Sequence, residues 1–411
     1  MIRRGGCAIV VATLFVNVVV ASAANAQRTT GGAPSRPAER LRAGVSVLLD
    51  EQISALRGRR VALIVDRGAR SERGDRVTDL LTNDKRVRAA RVVVAATWNA
   101  DSWPGDGGPV AGAGDSKRVA RLDAVLDSVL QGAQAIVVDL LDGGVRTSAA
   151  PWIILATLRA GARHSLAVVV LDRPNPLTGD QAEGPATDSL HGSLDALYGL
   201  PSRHGMTIGE VALWFNQVGA IGAALQVIPV RGWRRSDWVS EHGLPAMLPG
   251  GREIAPAQLA MLGALAPLAA SSLSYSAGGR NSVRFGAPWL DAKAVANVLS
   301  DRLMAGVKFH AGRDEFSRPD GSTATLPSVT IEVTDRDQAS GLRVLLATLA
   351  VVRSRHADSL HIDALRFGEL VGSPLLLGVL TSGEDSDTIA DREIPAAVDF
   401  RRRVRSVLLY R

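Results

Sequence analysis

The chain has 411 residues, 46% of them hydrophobic, and a formal charge of +6 from 47 Lys and Arg against 41 Asp and Glu. That length and apolar content predict two domains with cores of their own, at about 100 to 200 residues each. The lone Cys7 excludes a disulfide framework and a Cys-ligated metal site, and a mild charge whose densest run is Arg401-Arg402-Arg403 reads as an Arg-rich surface, not a nucleic-acid binder.

The chain opens on the basic head Met1-Ile2-Arg3-Arg4, and an uncharged apolar body follows from Cys7 to Ala21. Ala24-Asn25-Ala26 then supplies the small-residue cleavage pattern of a secretory signal, so residues 1–26 are expected to be removed and the mature chain to start near Gln27. The apolar run is broken by Asn17 and falls short of the roughly 20 residues of a spanning helix, which argues against a stable membrane anchor. Loss of Arg3 and Arg4 lowers the charge by two, to +4. The expected location is periplasmic or secreted. Residues 27–40 are rich in Gly, Pro, Ser and Thr without periodicity and read as a flexible lead.

Short Val-rich runs then alternate with helical spacing. Val61 to Val65, Val92 to Ala96, Ala135 to Val138, Leu166 to Leu171 and Leu225 to Val230 have the continuous apolar character of strands buried on both faces of a parallel sheet. Between them, Ser116 to Leu130 places Val119, Leu122, Leu126 and Val129 on one helical face, and Thr147 to Ala160 is a second helix. The alternation predicts a Rossmann-like α/β domain over 41–240 and a smaller α/β domain over 241–411, with the boundary near Gly243-Leu244-Pro245 and Pro249-Gly250-Gly251. In the second domain strands are expected at Val307 to His310 and Ser328 to Val333. Asp291 should cap a helix through Leu303, and Phe400, Val404, Val407 and Leu408 should form the stripe of a last helix.

Ligands of open α/β sheets bind beyond the carboxyl ends of the strands. Those ends hold Asp66, the segment from Trp98 to Gly105, Asp139 to Arg146, and Asp172 to Gly184. The chain contains no G-x-S-x-G, H-E-x-x-H, Walker loop or G-x-G-x-x-G after the first strand, so no nucleotide cofactor is indicated. Its seven histidines lack the spacing of ligands on one helix face, and no metal is expected.

In Asp139-Leu140-Leu141-Asp142-Gly143-Gly144-Val145-Arg146, Asp142 and Arg146 either order the turn or meet a ligand. Asp172-Arg173-Pro174-Asn175-Pro176 is a stiffened loop leading to Glu183-Gly184-Pro185. In His204-Gly205-Met206-Thr207-Ile208-Gly209-Glu210, Thr207 and Glu210 stand at capping-box spacing, leaving His204 as the site candidate.

These three segments, with Gly232-Trp233-Arg234-Arg235, Gly286-Ala287-Pro288-Trp289-Leu290-Asp291 and the ending Val407-Leu408-Leu409-Tyr410, resemble the exo-β-N-acetylmuramidase (NamZ-type) family, glycoside hydrolase family 171. The resemblance runs from about Arg59 to Tyr410. It implies a cleft for muramic acid and release of terminal N-acetylmuramic acid from the non-reducing end of peptidoglycan fragments.

Where the family carries Pro-Glu-His-Gly after the second strand, this chain has Asn99-Ala100-Asp101-Ser102, so the usual carboxylate is missing and Asp101 or Asp106 could substitute. Two further family motifs are replaced by Leu248-Pro249-Gly250-Gly251 and Ser272-Leu273-Ser274-Tyr275. Glycoside cleavage usually needs two carboxyl groups. Glu183 is the first candidate, and Asp101, Asp142 and Asp172 compete for the second role. Arg146, Arg173 or Arg280 could fork onto the lactyl carboxylate. Asn175 and His204 complete the expected binding set, and Trp98, Trp103 or Trp289 could stack on the sugar. A family member that binds muramic-acid-containing fragments or disaccharides without turnover is the alternative.

The export pattern gives a direct expectation. Mass spectrometry of the exported protein should find residues 1–26 missing, and an intact Met1 on the mature species would overturn the signal assignment.

Overall fold

The computed structural model describes residues 40–94, 116–185, 194–247, 251–318 and 321–411. From Glu39 to Arg411 the chain forms one compact unit. Strands β1 (Arg60–Val65), β2 (Arg88–Val94), β3 (Ala135–Asp139), β4 (Ala167–Leu171) and β5 (Leu225–Ile228) make a parallel sheet in the order β2-β1-β3-β4-β5. The central Val-rich runs become strands because every second residue finds a core on each face, whereas the edge strand β2 begins four residues before the expected run Val92 to Ala96 and leaves Val92 43% exposed. Ala62, Ile64, Ile136, Val138, Val168 and Val170 face one side, and Val61, Leu63, Val65, Val137, Val169 and Leu171 face the other.

The first core is closed by helices α3 (Ser116–Val129), α4 (Ala149–Arg163) and α5 (Ile208–Val218), and the second by α1 (Gly44–Val47) and α2 (Val77–Asn83). The strand order reverses between β1 and β3, the switch point beyond whose carboxyl ends ligands of open α/β sheets generally bind. At the start of α5 the expected capping box is complete: Thr207 Oγ1 accepts from the Glu210 N–H and Glu210 Oε2 from the Thr207 N–H.

The second domain is built on an antiparallel sheet, β10-β11-β9-β8, from β8 (Ser274–Ala277), β9 (Ser282–Gly286), β10 (Val307–Ser317) and β11 (Thr323–Val333). Strands β10 and β11 run longer than their apolar segments suggested, because antiparallel pairing continues through the mostly exposed polar residues Arg313, Asp314 and Glu315. A short hairpin, β6 (Ala246–Met247) with β7 (Glu253–Ile254), leads into α6 (Pro256–Ala264). Helices α7 (Ala292–Asp301), α8 (Gly341–Arg355), α9 (Ala364–Val371) and α10 (Pro374–Thr381) complete this domain, and Asp291 caps α7 as expected. Val145 and Leu177, from loops of the parallel sheet, are buried in its core. No helix among the described residues is long and apolar enough to cross a membrane.

The last segment crosses the boundary expected near residue 240. Helix α11 (Ser386–Arg403) and the turn Val404–Val407 deliver Phe400, Val404 and Val407 to the core under α4 and α5, with Phe400 edge-on to Trp214 at 6.2 Å. The final residues then lock onto two buried carboxylates. The Tyr410 hydroxyl donates to Asp172 Oδ2 (2.5 Å) and accepts from the Val230 N–H (2.9 Å), while the Leu409 N–H donates to Glu210 Oε1 (2.7 Å).

Asp172 also accepts from Thr207 Oγ1 and from the N–H groups of Gly209 and Arg173, so four donors surround it when it is ionised. Complete burial nevertheless pushes its carboxyl up from 3.8 to about 7, against those donors. Between these values the folded chain holds a proton that the unfolded chain has released. This group's contribution to stability is therefore present below the unfolded value and is lost as pH rises through about 7. Urea unfolding across that window should show the parent losing stability with rising pH more steeply than Asp172→Asn. Parallel profiles would mean that Asp172 is ionised throughout.

Candidate active site

Beyond Asp139, the loop from β3 turns on Gly143 and Gly144. Gly144 adopts φ +70°, and a Cβ there would lie 2.7 Å from Asn175 Oδ1, so the turn requires glycine. The loop is laced to residues 202–204, with the Arg146 N–H on the Ser202 carbonyl (2.9 Å) and the His204 N–H on the Gly144 carbonyl (3.3 Å). On the other side Glu183 and Arg203 exchange both backbone hydrogen bonds at 2.9 Å. Side chains alternate along such segments, so Arg203 shares a face with Glu183 while His204 points to the opposite one.

His204 points at Asp142. Its Nε2 lies 3.1 Å from Asp142 Oδ2, with side-chain exposures of 0% and 7%. Nδ1 accepts from the Met206 N–H at 3.2 Å, which assigns the proton of the neutral ring to Nε2, on the side of the carboxylate. The approach is off-line, so the contact is an electrostatic pairing and not a full hydrogen bond. Neither oxygen of Asp142 has a hydrogen-bond partner among the described residues. A buried carboxylate without donors is costly, so the loop beyond β3 carries an unmet demand for a donor such as a hydroxyl or water.

The remaining expected residues are put to other uses. Glu183 accepts from Ser340 Oγ and from the N–H groups of Gly341 (3.2 Å) and Leu342 (3.0 Å), so it caps α8 instead of standing free as a catalytic carboxyl. The cavity beside it, lined by Glu183, Arg203, Met261 and Leu342 among others, holds about 30 Å³, room for water but not for a sugar.

Arg146 is buried and donates to the carbonyls of Glu369 (3.1 Å) and Leu370 (2.5 Å) at the end of α9, not to a substrate carboxylate. Burial pushes its guanidinium down to about 10. Arg173 forks onto Asp139 and reaches the Arg70 carbonyl (3.0 Å), so it too is engaged with the protein itself. Asn175 closes its own turn by accepting from the Leu177 N–H and donates to the Met206 carbonyl, and Asp172 is engaged as described.

Arg280 lies exposed on the turn from β8 to β9, beside a separate polar groove of about 940 Å³ lined also by Glu253, Gln258, Asn281 and Asp335. Trp289 is half-buried against His356. Asp101, Asp106, Trp98 and Trp103 lie outside the described residues.

Three residues at this end of the molecule escaped the sequence reading. Arg203 donates to Gln181 and to the Leu177 carbonyl and lies 5.2 Å from the Trp238 ring, Arg235 bridges four carbonyl or carboxylate groups, and Tyr410 reaches Asp172. Their partners are far away in sequence. Gly232-Trp233-Arg234-Arg235 and Tyr410 were visible as motif letters without a role.

A doubly wound parallel sheet joined to a smaller antiparallel domain, with a carboxylate in the loop beyond β3 that has no hydrogen-bond partner among the described residues, defines an α/β protein built on two main sheets. The chain belongs to the exo-β-N-acetylmuramidase NamZ family: residues 121–251 match its N-terminal domain and residues 282–410 its C-terminal domain. It is similar to the peptidoglycan β-N-acetylmuramidase NamZ of Bacillus subtilis (strain 168), with 24% identity over 286 residues, 69% of each chain. Two solved DUF1343 family proteins of Bacteroides fragilis NCTC 9343 share the fold. One has a TM-score of 0.73 at 22% identity, covering 91% of this chain and 100% of its own, and the other 0.59 at 17%, covering 90% and 99%.

The capping geometry of Glu183 predicts that Glu183→Gln, which turns an amide toward three donors, lowers unfolding stability by about 0.5–2 kcal/mol. A variant as stable as the parent in urea would return Glu183 to the list of free carboxyls.

Proposed function

We propose that this protein is a peptidoglycan-directed β-N-acetylmuramidase-like hydrolase that releases terminal N-acetylmuramic acid from the non-reducing end of wall fragments. Family membership supports the reaction class, and the observation that carries the site is the Asp142 carboxylate beside His204, whose buried oxygens have no hydrogen-bond partner among the described residues. Glycoside hydrolysis needs a proton delivered to the leaving oxygen and a base or nucleophile at the anomeric carbon or its water. We assign Asp142 to one of these parts, with His204 Nε2 beside its Oδ2 at 3.1 Å. Asp101 is the carboxyl of the sequence set that we assign to the other part. Export to the periplasm or the outside, where peptidoglycan lies, agrees with the signal pattern of residues 1–26.

A second reading, binding of muramic-acid-containing fragments without turnover, is favoured by a specific observation. Glu183, Arg146, Asp172, Arg173 and Asn175 are all engaged with the protein itself.

Incubating the mature protein with a muramic-acid-terminated disaccharide separates the two. The hydrolase reading expects free N-acetylmuramic acid, and expects Asp142→Asn to reduce its release by on the order of 10² to 10⁴ while binding persists. Binding by the parent without any release would select the second reading. Turnover unaffected by Asp142→Asn would remove Asp142 from the chemistry.

A further inference from the structure

We infer that Arg235 is a positioning residue for the Asp142–His204 pair and acts on it through a single rigid peptide unit. The inference rests on the proposed site but not on whether that site turns over.

Arg235 is buried, and its guanidinium is distributed over four acceptors. Nη2 donates to Glu210 Oε1, Nε to the Tyr410 carbonyl (3.3 Å), and Nη1 to the carbonyls of Gly179 (3.0 Å) and Gly205 (2.7 Å). Two of these contacts fix it to the scaffold. Glu210 is part of the α5 cap and also holds the Leu409 N–H, and Tyr410 is held by Asp172 and Val230. The other two reach the chain around His204.

The Gly205 carbonyl and the Met206 N–H belong to one planar peptide unit, whose orientation is a single variable. Arg235 holds its oxygen, and its N–H donates to His204 Nδ1. The same unit therefore decides which ring nitrogen of His204 accepts and which carries the proton toward Asp142. A cation on the carbonyl also polarises the peptide and strengthens the N–H as a donor, which favours the Nε2-protonated ring.

The peptide has little room to turn by other means. Gly205 adopts φ +60°, and a Cβ there would lie 2.6 Å from the Gln181 carbonyl oxygen and 3.0 Å from that of Gly179. Only glycine fits, and the plane relies on hydrogen bonds to stay in register. Asn175 secures the next unit through the Met206 carbonyl (2.7 Å). The relay runs from the C-terminal tail and the α5 cap, through Arg235 and the 205–206 peptide, to the imidazole and then to the carboxylate.

The test is Arg235→Lys, which keeps the charge but not the planar fork that reaches four acceptors. In protein labelled with ¹⁵N-histidine, with His204 assigned by its loss in His204→Gln, the parent should show an unprotonated Nδ1 and a protonated Nε2. Arg235→Lys should shift both nitrogens toward the average of the two tautomers. With the disaccharide as substrate, kcat should fall by up to the order of 10²-fold, as for a misplacement of roughly 1 Å, with little change in KM.

Glu210→Gln, which keeps a capping oxygen for Thr207 but loosens Arg235, should move the ring nitrogens in the same direction and serves if Arg235→Lys does not fold. Val404→Ala, a cavity variant in the core beneath α11, controls for general destabilisation and should leave them in place. Unchanged His204 nitrogens in the folded Arg235 or Glu210 variants, or an equal shift in Val404→Ala, would overturn the inference. If the parent releases no sugar, the hydrolase reading fails while the ring nitrogens still decide this one.

Discussion

The structure depends on carboxylates buried at the carboxyl ends of the parallel strands. Asp139 ends β3, and Asp66 and Asp172 directly follow β1 and β4, where the side chains are buried and water is largely excluded. A charge so placed must find donors or give up its ionisation. Asp139 finds the fork of Arg173, and Asp172 finds the start of α5 together with Tyr410, 238 residues away. Satisfying these groups draws the end of the chain back across the molecule, and the apolar residues of α11 then fill the core beneath it.

Asp142 stands apart because the same requirement is unmet there. The residue as a whole is only half-buried, unlike Asp139 and Asp172, yet its carboxyl oxygens are covered and neither has a hydrogen-bond partner among the described residues. The contrast with Asp172, which four donors surround, separates a carboxylate that holds the fold from one that can act on a ligand. Residue type is the same in both cases. The difference lies in how many donors the surrounding chain supplies.

Arginines divide in the same way. Arg146, Arg173, Arg203 and Arg235 each direct the guanidinium at backbone carbonyls or carboxylates of the protein, two of them across the boundary between the sheets or to the chain end. Arg280 alone of the expected cations is exposed, and it faces the groove beside β6 and β7 and not the Asp142 loop. A motif rich in arginine and aspartate at strand ends is therefore compatible with a scaffold of internal pairs as much as with a binding site.

Local order was legible in the sequence. Continuous Val-rich runs can be buried only on both faces, so the three central strands and the parallel class followed from composition, as did the Thr207–Glu210 capping box and the Asp291 cap, which need only three-residue spacing, whereas the described side chains of the edge strands β2 and β5 are largely not buried. The candidacy of Asp142 and His204 was also readable, Asp142 because it follows a strand end at a glycine turn and His204 because it lies outside the Thr207–Glu210 capping box. What only the tertiary structure decided involves partners with no local signal: the strand order, the return of the tail to Asp172 and Glu210, and the capture of Glu183 by α8, 157 residues beyond it. Periodicity reports which face of an element is apolar. Which donor reaches a given carboxylate depends on how the whole chain folds back, and that fixed the roles of Glu183, Arg146 and Arg235.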